Sequence, residues 1–520
     1  MRHLNEKRYN DTFVSTFEGD PSGDLRSRQT PGVLYARANP TPVGDPALLA
    51  WSEDVAGELE IAGPPTPQDI EILAGNRITE SMKPYAVCYA GHQFGNWAGQ
   101  LGDGRAITLG EIVNSKGQSY DLQLKGAGRT PYSRHADGRA VLRSSLREYL
   151  MSEAMHYLGV PTTRALSLVL TGDPVLRDMF YDGRPAEEPG AIVARVAPTF
   201  IRFGNFEILA ARKEIDHLRR LVDWTIATYY PHIQGDDKII EWFQEVQKRT
   251  LHLIIEWTRV GFVHGVMNSD NMSILGLTID YGPYSFLDEY DPNFTPNTTD
   301  LPGRRYAFGN QASIAYWNIG CLASAIAPLF TDIGPLKEAM AAFENQFLEA
   351  YFSMMGRKLG LDRVDQEDQR LILRLEQLMT ELKPDMTIFY QLLMDLAEPV
   401  RNHTDLINHF DEAFYGEPTG AQAEQLRETV NLYLDRLDKN TISRTESREM
   451  MASNNPRFIL RNYLLHQAIE ELNEGKDTLF TELQEAIKKP YDRDRNEKFF
   501  VKRPDWAAQK AGCSMLSCSS

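Results

Sequence analysis

The hydrophobic pattern of the chain changes near Leu218, and this change limits the folds that it can adopt. On the N-terminal side, four apolar runs have the length of β-strands: 109–113, 119–125, 166–170 and 191–197. A turn-like stretch, 114–118, separates the first two runs and predicts a hairpin. Between Arg139 and Leu158, apolar residues recur at three- and four-residue steps, which predicts one long helix.

On the C-terminal side, helical periodicity dominates. Apolar residues share one face from Asp237 to Val260, and Gly261 is a typical residue at the end of a helix. The periodicity resumes near Ser313 and continues, with breaks, to about Lys489. The sequence therefore predicts an α+β protein: an antiparallel sheet with one long helix in the first part, and a mainly helical second part.

The composition is that of a folded protein, because 42% of the 520 residues are hydrophobic and 10% are aromatic. The chain carries 55 Lys and Arg against 72 Asp and Glu, a net charge of −17. Such a chain has no general attraction for nucleic acid or anionic lipid, so we expect neither a nucleic-acid partner nor a membrane partner. Any polyanion that it binds must meet a local basic site.

We also expect no targeting signal in this chain. The N-terminus has no apolar core of a secretion signal, and Glu6 and Asp11 argue against a transit peptide. Four cysteines without CxxC spacing favour a reducing compartment. The uncharged stretch from Tyr306 to Phe330 is long enough to cross a bilayer, but polar residues interrupt it, and we predict a buried helix.

A glycine-rich run, 99–105, is the first of four features with candidate chemistry. Gly102 and Gly104 would let backbone amides approach a phosphate, and Arg105 would add positive charge. An ordinary glycine turn is the alternative, since the spacing is not GxGxxG.

Two further features are basic residues in or near predicted strands. Lys125 ends a predicted strand, and Glu148 on the following helix could orient it towards a phosphate, although the two need not meet. Arg195 and Arg202 could neutralise the far end of a triphosphate, with solvated surface residues as the alternative.

The fourth feature is the loop 264–271, followed nine residues later by Asp280. Asn271 and Asp280 offer the hard oxygen ligands with which kinases hold magnesium on nucleotide phosphates. An Asx-rich turn is the alternative for either piece alone. In order along the chain, the four features follow the plan of a bilobal protein kinase. One part is missing: the position of the kinase base, five residues before Asn271, holds Val266, and Asp270 is the nearest carboxylate that could replace it.

Six strings together resemble the selenoprotein O family of protein adenylyltransferases, which are pseudokinases: 89–95, 99–105, 124–128, 130–134, 137–143 and 264–282. The likeness extends to the C-terminal residues 517–520 and covers nearly the whole chain. It implies a kinase-like bilobal fold with four parts. These are an N-terminal wrapping extension (1–84), an N-lobe with the nucleotide loop (85–215), a helical C-lobe with the catalytic and metal loops (216–500) and a tail (501–520).

The resemblance implies that AMP passes from ATP to Ser, Thr or Tyr hydroxyls of proteins, with the nucleotide inverted relative to a kinase. Lys125, ordered by Glu148, would hold the inner phosphates with Arg195 and Arg202, and Asp270 would be the base. The remaining roles implied are the nucleotide pocket (Gly102, Gly104, Arg105, Asp137, Gly138) and the Mg²⁺ or Mn²⁺ ligands (Asn271, Asp280).

Cys518 occupies the place of the selenocysteine of animal members, which implies redox control through the tail. Its partner stays open among Cys513, Cys321 and Cys88, and a free thiol is the alternative. The family occurs in bacteria and in mitochondria. Without a convincing presequence we expect a cytoplasmic protein, with a mitochondrial one as the alternative.

Two other functions use the same residues. An atypical protein kinase would transfer the γ-phosphate, and a catalytically inert scaffold would only bind partners. The nearly complete set of phosphate and metal residues disfavours the scaffold. If the order of the motifs were a coincidence, the protein would fail to bind any nucleotide.

Overall fold

The computed structural model describes residues 1–179, 183–397, 406–513 and 515–517. It confirms an α+β fold with a largely antiparallel sheet. The strands are β1 (Gly19–Asp20), β2 (Tyr35–Arg37), β3 (Ala47–Trp51), β4 (Tyr85–Val87), β5 (Ala90–Gln93), β6 (Asn96–Gln100), β7 (Ala106–Val113), β8 (Ser119–Lys125), β9 (Arg164–Arg177), β10 (Ala186–Ala197), β11 (Phe262–Val263) and β12 (Ser285–Phe286). The helices are α1 (Thr12–Thr16), α2 (Glu53–Glu58), α3 (Pro67–Leu73), α4 (Leu142–Tyr157), α5 (Phe203–Ala211), α6 (Ile215–Tyr229), α7 (Lys238–Val260), α8 (Gln311–Ile326), α9 (Gly334–Lys358), α10 (Gln366–Leu382), α11 (Met386–Leu396), α12 (Leu406–Phe410), α13 (Gly420–Leu437), α14 (Arg444–Asn454), α15 (Asn462–Asn473) and α16 (Thr478–Ala486).

Eight strands form one sheet in the order β1-β2-β4-β7-β8-β10-β9-β3, and only the β1–β2 pair is parallel among them. The predicted hairpin is confirmed as β7 and β8. Its turn is closed by Asn114 N, which donates to the carbonyl oxygen of Gln118 at 3.0 Å, and Gly117 adopts a left-handed φ of +76°. The hairpin places Ala106 opposite Lys125, so the glycine-rich run ends beside the lysine.

The predicted long helix is α4, which packs on β9 and β10. Both strands are longer than the apolar pattern predicts. Backbone pairing between β9 and β10 continues past the buried part into exposed residues such as Leu176, which is 60% exposed. A ladder of backbone hydrogen bonds requires no apolar side chains, which is why the apolar pattern missed its outer end.

The helical second part begins earlier than predicted, because α5 and α6 precede α7 and were not predicted. Helix α7 itself is confirmed; it is followed by Gly261, whose φ of +76° is the left-handed conformation common after a helix. Among the described residues, Phe308–Leu329 is the one helical stretch long and apolar enough to span a membrane, with a mean hydropathy of 1.3. Within it, α8 packs against α5, α7 and α9, and 44% of the apolar window is buried, so the predicted helix is present but only partly buried.

The first 84 residues and residues 515–517 of the tail contact the rest of the molecule. Residues before Tyr85 supply β1 and β2 at one side of the sheet and β3 at the opposite edge. Near the C-terminus, the carbonyl oxygen of Leu516 accepts from Thr298 N at 2.8 Å, which fastens the tail to the irregular stretch 280–305.

Candidate active site

Lys125, Glu148 and Asp280 meet where the sheet faces the loop 264–282. Lys125 is the last residue of β8, and Glu148 lies in the middle of α4. Lys125 Nζ lies 2.6 Å from Glu148 Oε2 and 3.6 Å from Asp280 Oδ1. The structure thus brings together the strand lysine, the helix glutamate and the loop aspartate that the sequence singled out.

Two buried arginines complete this cluster. Arg195 Nη1, from β10, lies 3.0 Å from Glu148 Oε1 and 2.6 Å from Asp280 Oδ1. Arg202 Nη1 lies 2.5 Å from Asp280 Oδ2 and donates to the backbone oxygen of Asp270 at 2.9 Å. Their side chains are only 2% and 1% exposed, whereas that of Asp280 is 23% exposed. Three cations therefore converge on one carboxylate that remains accessible from solvent.

The charges in this cluster depend on one another. Burial lowers the pKa of Lys125, and the charge of Glu148 opposes that effect. Burial acts against ionisation of Asp280, but Arg202, Arg195 and Lys125 hold its pKa well below the usual value. Asp280 is consequently charged at neutral pH. An anion that took its place among the three cations would receive the same stabilisation.

Asp270 lies in a short 3₁₀ turn, Ser269–Asn271, and is 6% exposed. Its Oδ2 accepts from Gln93 Nε2 at 3.3 Å, while Oδ1 is buried without a hydrogen-bond partner among the described residues. Burial raises the pKa of Asp270 to about 7, although the Gln93 hydrogen bond and the charge of Arg202 act in the opposite direction. A carboxyl group with this pKa can accept a proton near neutral pH.

Strand β5 covers Asp270 directly. A Cβ atom placed on Gly91 would lie 2.5 Å from Asp270 Oδ1, so only glycine allows this approach. His92 N donates to Ser269 Oγ at 2.8 Å, and Phe94 N donates to Asn268 Oδ1 at 3.2 Å. The sequence pattern gave no sign that this stretch contacts the loop 264–271, and the stretch entered only through the family resemblance.

Asn271 is the last residue of the same turn. Its Nδ2 donates to the backbone oxygen of Val266 at 2.9 Å, which leaves Oδ1 as the atom for a ligand. His264 Nε2 lies 2.9 Å from the backbone oxygen of Ile279, and this contact connects the loop to the residue before Asp280. Asp280 itself has a left-handed φ of +56°, uncommon for a residue other than glycine.

The glycine-rich run is shaped by close packing. Gly102 has a φ of +138°, and a Cβ there would lie 2.5 Å from Tyr132 Cγ. A Cβ on Gly104 would lie 2.9 Å from the backbone oxygen of Tyr132. Arg105 follows and donates no side-chain hydrogen bond to any described residue, but its charge contributes to lowering the pKa of Lys125. Packing against Tyr132 therefore explains both glycines, whether or not a phosphate binds beside them.

Asp137 and Gly138 lie beyond the end of β8 and outside the ion-pair cluster. Asp137 Oδ1 lies 2.7 Å from Arg177 Nη2, and Asp137 is 48% exposed at its side chain. The carbonyl oxygen of Gly138 accepts from Gly128 N at 3.1 Å. The predicted redox residue Cys518 lies outside the described residues. The described cysteines, Cys88, Cys321 and Cys513, are free thiols.

Gln123 is a site residue that the sequence analysis missed. It lies two residues before Lys125 on β8, so both side chains point to the same face of the sheet. Its Oε1 accepts from Arg195 Nη2, and its Nε2 donates to Asp103 Oδ2 at 3.4 Å. The two-residue spacing on a strand was the signal that could have found it.

Comparison with known proteins shows which family the chain belongs to. A family model described as "Protein adenylyltransferase SelO" matches residues 28–488. A protein nucleotidyltransferase YdiU from Cytophaga hutchinsonii is 59% identical over 520 residues, covering 100% of both chains. Proteins of the same name from Aromatoleum aromaticum (520 residues, 98% of each chain) and Xanthomonas campestris pv. campestris strain B100 (526 residues, 100% of each chain) are 51% identical. The chain therefore belongs to the SelO family of protein adenylyltransferases and is a nucleotidyltransferase.

Proposed function

We propose that this enzyme transfers AMP from ATP to Ser, Thr or Tyr hydroxyls of protein substrates and releases pyrophosphate. The nucleotide would bind with its terminal phosphate innermost, so that the α-phosphate faces the substrate. The observation that carries the proposal is the convergence of Lys125, Arg195 and Arg202 on a single carboxylate.

The burial of these cations supports the inward position of the terminal phosphates. Charged hydrogen-bond donors fixed in a buried site stabilise anions far better than donors in water. Pyrophosphate is the leaving group of AMP transfer, and most of the developing charge resides on it. Glu148 holds Lys125 and Arg195 in place before the nucleotide arrives, so little reorganisation is needed.

Asp270 supports the proposal that the α-phosphate faces the substrate hydroxyl. Arg202 donates to the backbone oxygen of Asp270, and on this proposal the carboxyl group would lie beside the phosphates that the cation cluster binds. The substrate oxygen would form a bond to the α-phosphorus, the bond from that phosphorus to the α,β-bridging oxygen would break, and Asp270 would take the hydroxyl proton. General base catalysis of this kind contributes about 10²–10⁴ in rate. Val266, at the kinase base position, is buried and cannot accept a proton.

Asn271 and Asp280 fit a divalent cation by donor chemistry. Both offer oxygen atoms, which are the ligands that Mg²⁺ and Mn²⁺ prefer. We assign the metal to these two residues, where it would neutralise phosphate charge. Both oxygens of Asp280 are ion-paired in the structure, so phosphates must compete for the cations before Asp280 can act as a ligand.

Labelled ATP tests the proposal. The full chain is incubated with Mg²⁺ or Mn²⁺, a protein substrate mixture and ATP labelled at either the α- or the γ-phosphate. We expect label on protein only from the α position, and intact-mass spectrometry should show addition of one AMP unit. Label only from the γ position would establish the kinase alternative and refute AMP transfer.

Two variants distinguish an enzyme from a catalytically inert scaffold. Lys125→Met and Asp280→Ala should abolish modification, whereas Asp236→Asn, at an exposed position, should not. If both site variants modified proteins as fast as the unmodified chain, the assignment of the site would be wrong.

A further inference from the structure

His92, Glu207 and Cys321 form a cluster outside the phosphate site. They lie on β5, α5 and α8, three elements that are distant in sequence. His92 Nδ1 lies 2.6 Å from Glu207 Oε2, and one ligand atom from each of His92, Glu207 and Cys321 lies within 4.8 Å of the other two. The cluster therefore presents a nitrogen, a carboxylate oxygen and a sulfur atom to one point.

An unpartnered atom in the cluster points to a ligand. Glu207 is 3% exposed at its side chain, and its Oε1 has no hydrogen-bond partner among the described residues. A buried carboxylate oxygen without a partner is unfavourable, and a bound cation would remove that cost.

We propose that His92, Glu207 and Cys321 bind one divalent transition-metal ion, and that Zn²⁺ matches them best. Three protein ligands of mixed N, O and S type with an open fourth position are typical of zinc, whereas Mg²⁺ prefers oxygen alone. On binding, Cys321 releases its proton to solvent, and the thiolate and carboxylate balance the charge of the ion. His92 is 27% exposed and gives the ion access from solvent.

The strand that carries His92 also contacts the loop that contains Asp270. His92 N donates to Ser269 Oγ, and the neighbours of His92 on β5 are Gly91 and Gln93, which contact Asp270. An ion held by His92 would fasten β5 to α5 and α8 and so limit movement of the strand that covers Asp270. This second ion would position β5 and would not contact the substrate, and it is distinct from an ion at Asn271.

Cobalt spectroscopy tests the site without relying on activity. The full chain is stripped with a chelator, dialysed and titrated with Co²⁺. We expect one Co²⁺ per chain with a thiolate-to-cobalt charge-transfer band and the visible bands of a four-coordinate ion, and Zn²⁺ should displace it. Cys321→Ser should remove the charge-transfer band and weaken Zn²⁺ binding by at least about tenfold, and Glu207→Gln should weaken it similarly.

Two control variants distinguish the sites. Cys513→Ser should keep the band, and so should Asn271→Ala, because the proposed active-site ligands include no thiol. Zn²⁺ should also raise the Tm of the unmodified chain but not that of Cys321→Ser, a readout that reports folding and binding together. Absence of the band in the unmodified chain, or its survival in Cys321→Ser, would overturn the proposal.

Discussion

Replacing Asp270 with Asn should stabilise the protein, and more so at high pH. The carboxyl group has a pKa of about 7 in the folded protein against 3.8 for an ordinary aspartate. Between these values the folded state binds a proton that the unfolded state has lost, so the free energy of unfolding falls as pH rises from about 4 to 7. A gap of about 3 pH units corresponds to about 4 kcal/mol.

About 2.5 kcal/mol of this loss falls between pH 5 and pH 8 by the same linkage relation. Asn carries no charge at either pH and has nearly the same shape. For 520 residues, an unfolding entropy near 2.1 cal/mol/K per residue converts the difference to about 2 °C in Tm. The Tm of Asp270→Asn minus that of the unmodified chain should therefore be about 2 °C larger at pH 8 than at pH 5.

The assay is thermal unfolding at both pH values in a chelator and without nucleotide. Other buried acids titrate equally in both proteins, so the comparison isolates Asp270. Asp236→Asn, at an exposed position, should show the same Tm difference at pH 5 and pH 8. An equal Tm difference at the two pH values for Asp270→Asn would refute the argument that burial prepares this carboxyl group to accept a proton.

Three other substitutions test the site. Glu148→Gln removes a carboxylate that faces two buried cations. It should lower the free energy of unfolding in urea by about 3–5 kcal/mol, and steady-state kinetics should show a higher KM for ATP. Gly91→Ala places a methyl group against Asp270, which should reduce kcat at least about tenfold and lower the free energy of unfolding by about 1–3 kcal/mol. Gly57→Ala, whose methyl group would meet open space, should change neither quantity. Arg202→Lys keeps the charge but loses the paired contacts, so the KM for ATP should rise; an unchanged KM would exclude Arg202 from the phosphate site.

Much of the secondary structure could be predicted because it depends on near neighbours. The β7–β8 hairpin, helix α4 and the end of α7 at Gly261 follow from local periodicity and turn residues, and the structure confirms them. The outer parts of β9 and β10 could not be predicted, since their pairing depends on the partner strand rather than on apolar residues. The kinase-like division into lobes and the four domain boundaries stay predictions.

The sequence alone identified the family, because the strings from Tyr89 to Gly282 preserve residue type, spacing and order, which need no three-dimensional information. Tertiary structure decided which of these residues act together. Arg195 and Arg202 lie 85 and 78 residues from Asp280 in the chain, and only the packing of β10 and α5 against the loop brings all three charges together. The approach of Gly91 to Asp270 arises in the same way: side-chain contacts between distant segments depend on the packed fold, not on local pattern.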